Sequence, residues 1–290
     1  MKKTAVMTDS NSGITQTEAA ELGVTVLPMP FLLDGEVYYE DINLTRDDFY
    51  RRLEEGMSIS TSQPEPETVI ETYRKLLEDH EEVVHIPMSS GLSGSCQTAY
   101  MLAREFEGRV QVVDNQRISI TQRHSVLDAL TLAEAGKSAL EIRTILEADK
   151  FNATIYIYMD TLYYLKKGGR ITPAAAALGT ILKIKPVLTI QGEKLDSFAK
   201  ARTLQQGKKL MVTALKKDID TRLGGIGGTE NVRISIAYSE SREIALAWQQ
   251  ELASEFPGCE IGIEPLSLSV ACHIGPGGLG FACSANLKAM

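Results

Sequence analysis

Short apolar runs alternate with segments of helical period through the first half of the chain. The runs "TAVMTDS", "VVHIPM" and "RVQVVD" each lead into polar residues, and a helix-like stretch follows. Such alternation predicts an α/β fold with a parallel sheet. Ligands of such folds bind beyond the carboxyl ends of the strands. We expect three polar loops there, at residues 9–12, 61–64 and 89–95.

A hairpin and a helix start are also predicted in this half. The runs "VTVLPMPFLL" (24–33) and "GEVYYED" (35–41) predict two strands joined by a turn at Asp34-Gly35. Thr45 predicts the cap of the helix that follows.

The pattern changes near residue 150, so we predict an α/β domain over 1–150 and an α+β domain over 151–290. Gly192-Glu193 separates two strand-like runs and predicts a hairpin. The stretch "GGIGGTEN" (224–231) predicts a flexible turn before a strand. The strands of this half are expected at 153–159, 186–191, 195–201, 232–238 and 260–268, with helices at 203–222 and 241–255.

Length and composition exclude several classes of protein. A chain of 290 residues is long enough for two domains. Its net charge of −8 disfavours nucleic acid as the main partner. The four cysteines lack metal-ligand spacing, and we expect them to be reduced. The N-terminal apolar run is too short for a signal peptide, and no apolar run of the chain approaches the length of a membrane span. We therefore expect a soluble cytoplasmic protein with no integral membrane association.

The serine loop "MSSGLSGSC" (88–96) lies between a strand and a helix. It misses the last glycine of the G-x-S-x-G nucleophile motif, because Ser95 stands there. It also lacks the Gly-Lys-Ser/Thr of a phosphate loop. Binding of an anion by hydroxyls and by N–H groups at a helix start is the interpretation that remains. The alternative is that Ser93 only caps its helix.

Two glycine-rich segments carry the other candidates. "HIGPGGLG" satisfies G-x-G-x-x-G, but too few residues follow Gly280 for a dinucleotide-binding unit. Its glycines beside His273 instead predict close backbone approach to a ligand or to the other domain. In "YLKKGGRITP", Arg170 follows a Gly-Gly turn and can point toward an anion. Lys166, Lys167 and Arg170 in this segment are also typical of a solvated helix C-terminus, where positive charge is favourable.

Taken in order along the whole chain, these motifs resemble the DegV family of fatty-acid-binding proteins. That family includes the acyl-carrying subunit of bacterial fatty acid kinases, which feed phospholipid synthesis. The segments that carry the resemblance are Asp9-Ser10, 61–64 ("TSQP"), 90–94 ("SGLSG"), Val113-Asp114, 165–171 ("LKKGGRI") and 273–277 ("HIGPG").

The resemblance implies two domains with one long-chain fatty acid, such as palmitate or oleate, in a tunnel between them. It implies that Thr61 and Ser93 hydrogen-bond the carboxylate, with Ser62, Gly94 and Ser95 beside them. The chain would then need no cofactor, no metal and no catalytic residue of its own. Arg170 and His273 would lie near the tunnel mouth and support phosphate transfer by an ATP-binding kinase partner.

The energetics agree with a lipid ligand. Burial of about fourteen methylenes offers ~11 kcal/mol before the costs of binding. Neutral hydroxyl donors then suffice to orient the carboxylate. One segment departs from the family pattern, 118–124 ("ISITQRH"), and leaves the local shape and the acyl-chain preference open. The alternatives are a lipid store or sensor without a kinase, and a serine esterase that uses Ser93.

Overall fold

The computed structural model describes residues 2–178, 184–191, 194–223 and 231–287. The chain divides into two compact units, Met1–Lys150 and Phe151–Met290. The strands of the first unit are β1 (Lys2–Asp9), β2 (Thr25–Leu27), β3 (Phe31–Leu33), β4 (Glu36–Tyr38), β5 (Ile59–Thr61), β6 (His80–Ile86) and β7 (Val110–Val112). Its helices are α1 (Gln16–Leu22), α2 (Arg46–Glu54), α3 (Pro66–Asp79), α4 (Ser95–Ala103), α5 (Ser119–Glu134) and α6 (Ala139–Ala148).

The main sheet of the first unit is parallel, as predicted, with the strand order β2-β1-β6-β7. Parallel strands are covered on both faces, and the apolar residues of β6 are fully buried accordingly. The helices begin where the sequence supplies caps. The Thr45 hydroxyl accepts from the N–H of Asp48 at the start of α2, and Ser138 forms a capping box with Glu141 at the start of α6.

A second, antiparallel sheet with the order β4-β3-β5 belongs to the same unit. The predicted hairpin at Asp34-Gly35 is confirmed, and both turn residues have positive φ, 49° and 89°. One prediction was wrong: "VTVLPMPFLL" is not a single strand. It forms β2 and β3, which lie in different sheets. Pro28 and Pro30 lie between them, and proline cannot donate to a strand ladder.

The second unit contains a mixed sheet with the order β10-β9-β8-β13-β11-β12, in which only β11 and β12 run parallel. Its strands are β8 (Ala153–Tyr158), β9 (Lys185–Ile190), β10 (Leu195–Ala201), β11 (Val232–Tyr238), β12 (Ile261–Pro265) and β13 (Leu279–Ala285). Its helices are α7 (Tyr163–Gly168), α8 (Pro173–Leu178), α9 (Leu204–Asp218), α10 (Arg242–Leu252) and α11 (Leu268–Ile274). The core of this unit centres on Trp248, whose ring lies 5.0 Å from that of Phe281.

Most predicted elements of the second unit are confirmed, but β13 and the short helices α7, α8 and α11 were not among them. The strand expected over 260–268 ends at Pro265, and α11 begins at Leu268. The strand β13 was not predicted, because its start lies in the glycine-rich segment. The predicted turn Gly192-Glu193 lies outside the described residues, although β9 and β10 pair antiparallel as a hairpin requires. Most of the predicted turn at 224–231 is likewise outside them, and only Asn231 is described.

The described residues include no helix that combines the length and the apolar composition needed to cross a bilayer. They also include no group of three or more His, Cys, Asp or Glu side chains placed to hold a metal ion.

Candidate functional site

The serine loop is a tight turn that connects β6 to α4. The Ser89 carbonyl accepts from the N–H groups of Leu92 and Ser93, at 3.0 and 3.2 Å. The Ser89 N–H donates to the carbonyl of Arg117 at 2.9 Å, and the Ser90 N–H donates to the Asp114 carboxylate at 3.3 Å. Backbone hydrogen bonds therefore fix the loop in front of α4.

Ser93 lies immediately before the first turn of α4. Its Oγ accepts from the N–H of Ser95 at 3.2 Å. Gly94 occupies the cap position and has no side chain to cap the helix, so the Ser93 oxygen accepts from the first N–H of α4, as the capping alternative predicted. The Ser93 hydroxyl donates to no acceptor among the described residues, so its hydrogen is available to an external acceptor. The start of α4 adds partial positive charge from its first N–H groups.

The loop 61–64 reaches the same helix start. Thr61 is the last residue of β5, and the Ser62 N–H donates to the Pro30 carbonyl at 3.3 Å. The Gln63 side-chain oxygen accepts from the Thr98 hydroxyl of α4 at 3.0 Å. A Cβ atom on Gly94 would lie 3.6 Å from that same oxygen. The structure thus brings loop 61–64 to the start of α4 through Gln63. The predicted common sheet edge was wrong, because β5 lies in the antiparallel sheet and not in the parallel sheet that contains β6.

A buried polar cluster around Asp9 hydrogen-bonds the backbone of the serine loop at Met88. The Asp9 carboxylate accepts from the N–H of Met88 at 2.9 Å, from Asn11 at 2.8 and 3.0 Å and from the Gln122 amide at 3.1 Å. The Gln122 amide also donates to the Thr8 hydroxyl and to the Ile86 carbonyl. Burial raises the pKa of Asp9, against the lowering effect of these donors.

The sequence did not predict this cluster. Asp9 was expected only within the polar loop 9–12 and the Asp9-Ser10 motif, and its signal is an acidic residue at the end of a buried parallel strand. Gln122 comes from the segment 118–124, whose local shape the sequence left open. The backbone of Ser119 at the start of α5 has φ +53°, which is uncommon for a residue other than glycine. The segment 118–124 therefore supplies a buried donor, the Gln122 amide, to the carboxylate that binds the N–H of Met88.

Arg170 and His273 meet at a glycine in the second unit. A Cβ atom on Gly168, the last residue of α7, would overlap the imidazole of His273 on α11. Arg170 donates to the carbonyl of the same Gly168. Burial, and then the positive charge of Arg170, lower the pKa of His273 to about 4. His273 is therefore neutral near pH 7 and offers hydrogen bonds but no charge.

The glycines after His273 do approach their neighbours closely, but the neighbours belong to the same unit. Gly275 leaves room for the ring of Tyr164, and Gly278 leaves room for the side chain of Ile274. Gly280 lies within β13, where an added Cβ would be 3.2 Å from the Cβ of Ala237 on β11. The predicted approach to a ligand or to the other domain is thus not needed to explain these glycines.

The geometry offers little support for a serine nucleophile. A nucleophilic serine needs a histidine within hydrogen-bond reach. Among the described residues, no histidine hydrogen-bonds the Ser93 hydroxyl. His124, one of the two histidines that follow Ser93 in the chain, is buried within α5.

The family profile described as "Uncharacterised protein, DegV family" matches residues 3–286. The chain belongs to the DegV family. A DegV domain-containing protein of Deinococcus radiodurans is 32% identical, over 96% of this chain and 97% of its own. This member of the DegV family also resembles solved structures across its whole length.

One such structure is that of a DegV family protein from Thermus thermophilus described by its fatty acid binding. It has a TM-score of 0.88 and 33% identity, over 98% of this chain and 99% of the other. Another is DegV from Bacillus subtilis, described as a fatty acid binding protein. Its TM-score is 0.87 and its identity 25%, over 99% of this chain and 100% of the other.

Proposed function

We propose that this DegV protein binds one long-chain fatty acid and holds its carboxylate with the hydroxyls of Thr61 and Ser93. The observation that carries the proposal is the approach of loop 61–64 to the start of α4, through the 3.0 Å bond between Gln63 and Thr98. The Thermus and Bacillus relatives described as fatty acid binding support it.

The donors around this point suit a carboxylate. The Ser93 hydroxyl has its hydrogen available for an external acceptor, since it donates to no acceptor in the part of the chain that the structure describes. Ser62 and Gly94 are exposed, and because Gly94 has no side chain, the start of α4 is open to a ligand. Hydroxyl and N–H donors orient a carboxylate without neutralising it. Its oxygen would remain nucleophilic toward a phosphoryl donor.

We further propose that the protein presents this carboxylate to an ATP-binding kinase partner, which converts it to an acyl phosphate in the cytoplasm. In this proposal the chain is a carrier and performs no reaction alone. Arg170 supplies positive charge during the transfer, and His273 supplies a hydrogen bond from a neutral ring. A lipid store or sensor without a kinase is the alternative, and it differs only in lacking the transfer.

Lipid carried from expression is the direct test of binding. We expect native mass spectra of the purified protein to show one acyl chain per protein, and denaturing spectra to release a fatty acid of about sixteen to eighteen carbons, whose methylenes supply most of the binding free energy. Delipidated protein should rebind palmitate or oleate. Absence of lipid together with failure to rebind either fatty acid would contradict the proposal.

Substitution of the two hydroxyl residues tests the carboxylate site. Ser93→Ala and Thr61→Ala each remove one hydrogen bond to a charged acceptor. We expect fatty acid affinity to fall about ten- to a hundredfold in each, measured by titration calorimetry. Thr72→Ala is the matched control, because its hydroxyl donates only to the Thr68 carbonyl within α3. Normal lipid binding by Ser93→Ala, with loss of an ester hydrolysis present in the wild type, would favour the esterase alternative.

A further inference from the structure

A small cavity of about 10 Å³ lies beside the serine loop in the first unit. Its polar lining comes from Asp9, Gln63, His85, Ser95 and Thr98, and the rest of its wall is mostly apolar. About one probe sphere, ~10–15 Å³, is the smallest space that holds a water molecule. The cavity is therefore of the size of one water and far too small for a lipid.

His85 presents a donor that has no acceptor among the described residues. Its side chain is 3% exposed, and its Nδ1 lies 2.7 Å from the Tyr73 hydroxyl. Tyr73 is fully buried, and this nitrogen is the one acceptor that its hydroxyl has among the described residues. The Tyr73 hydroxyl therefore donates to Nδ1, and the hydrogen of the neutral ring is on Nε2. That Nε2 is buried and makes no hydrogen bond to the described residues.

Ser95 presents a second such group. Its Oγ is buried and also makes no hydrogen bond to the described residues. These two buried atoms belong to residues that line one cavity, so one partner inside it can satisfy both. A buried donor left unsatisfied loses the hydrogen bonds that it made to water, which favours such a partner. The Asp9 carboxylate, which is 1% exposed, lines the same space and is an acceptor.

We propose that this cavity holds one ordered water that accepts hydrogen bonds from His85 Nε2–H and from the Ser95 hydroxyl. The water donates one of its own hydrogens to the Asp9 carboxylate. It fixes the position of Ser95, whose N–H donates to Ser93 Oγ. His85 is then a positioning residue for Ser93, and this consequence rests on the proposed carboxylate site.

The variants His85→Asn and His85→Gln separate the two nitrogens of the ring. The asparagine amide can replace Nδ1 as the partner of Tyr73 but does not reach the cavity. The glutamine amide reaches the place of Nε2 and keeps a donor there. Ser95→Ala removes the second ligand of the water with a small change in volume, so that it provides a probe even if a His85 variant folds poorly.

High-resolution crystal structures of the full chain test the water directly. We expect a water within hydrogen-bond distance of His85 Nε2 and Ser95 Oγ in the wild type, retained in His85→Gln and lost in His85→Asn. Direct hydrogen bonds from both atoms to protein acceptors, or absence of density between them, would overturn the proposal. A carboxylate oxygen of bound lipid at that position, in place of water, would also overturn it.

Affinity tests the positioning role separately. We expect His85→Asn and Ser95→Ala to weaken fatty acid binding about two- to tenfold, the effect of one indirect hydrogen bond, and His85→Gln to restore it. Equal affinity in the Asn and Gln variants would remove the positioning role and leave the water in place. Failure of every form, wild type included, to bind fatty acid would contradict the proposed function, and the crystallographic result on the water would still stand.

Discussion

His85 shows how strongly one buried side chain can affect stability. Burial lowers its pKa to about 3, whereas an unfolded histidine titrates near 6.5. Between these values the unfolded chain binds a proton that the folded chain does not. The free energy of unfolding therefore falls as the pH drops, by about 2 kcal/mol from pH 7 to pH 5 for this residue. We expect His85→Asn to lose correspondingly less stability over that range, measured by urea unfolding at each pH.

Other groups titrate in the same range, so the comparison must be between variants. His273, with its pKa lowered to about 4, adds to the loss at low pH. The Asp9 carboxyl opposes it, because a raised pKa lets the folded state take up a proton first. Tyr73→Phe is the control, since it removes the bond to His85 and leaves the imidazole. Equal pH dependence in His85→Asn and wild type would show that the folded imidazole titrates normally.

At the level of secondary structure elements, the contact between α7 and α11 depends on Gly168. An alanine there gains about 1 kcal/mol of helix propensity, but its Cβ overlaps His273, and overpacking typically costs about 1–3 kcal/mol. We expect Gly168→Ala to displace the ring and to move the pKa of His273 up from about 4, followed by NMR titration. The control is Gly169→Ala, which strains a backbone with φ +69° but meets no atom within 4 Å. An unchanged titration in Gly168→Ala would contradict the overlap.

Helices and strands were predictable from sequence where cap or turn residues marked their ends. Thr45 marked the start of α2, and Asp34-Gly35 marked a hairpin. The strand β13 was missed because glycine is unfavourable in strands, and only the close approach of Ala237 on β11 explains Gly280. The polar cluster was missed for a similar reason. Nothing local to Gln122 indicates that its amide donates to Asp9, 113 residues away in the chain.

At the scale of the whole molecule, the candidate residues divide between the two units. The hydroxyl loops and the start of α4 belong to Met1–Lys150, whereas Arg170 and His273 belong to Phe151–Met290. The sequence predicted this division through the order of its motifs, because each motif follows a particular strand or helix. It did not predict the charge state of His273, which depends on burial against Gly168 and on the neighbouring Arg170.

This division predicts that binding and phosphate transfer can be separated by mutation. Arg170→Ala leaves the hydroxyl loops intact, so we expect fatty acid affinity to change less than about threefold, well below the cost of losing a direct charged hydrogen bond. Negative charge accumulates when the phosphoryl donor meets the carboxylate, and loss of one stabilising donor costs about 10²–10³ in rate. The measurement is acyl phosphate formed with ATP and a fatty acid kinase catalytic subunit.

Two further variants locate the effect. Lys166→Ala removes the same charge from an exposed position on α7, so a loss confined to Arg170→Ala identifies a specific donor and excludes general attraction between the proteins. His273→Asn keeps a neutral hydrogen-bonding group, and because the imidazole carries no charge near pH 7, we expect it to retain more transfer activity than His273→Ala. Equal transfer by wild type, Arg170→Ala and His273→Ala would show that both residues only shape the turn at Gly168. A large loss of lipid affinity in Arg170→Ala would instead assign that guanidinium to the carboxylate.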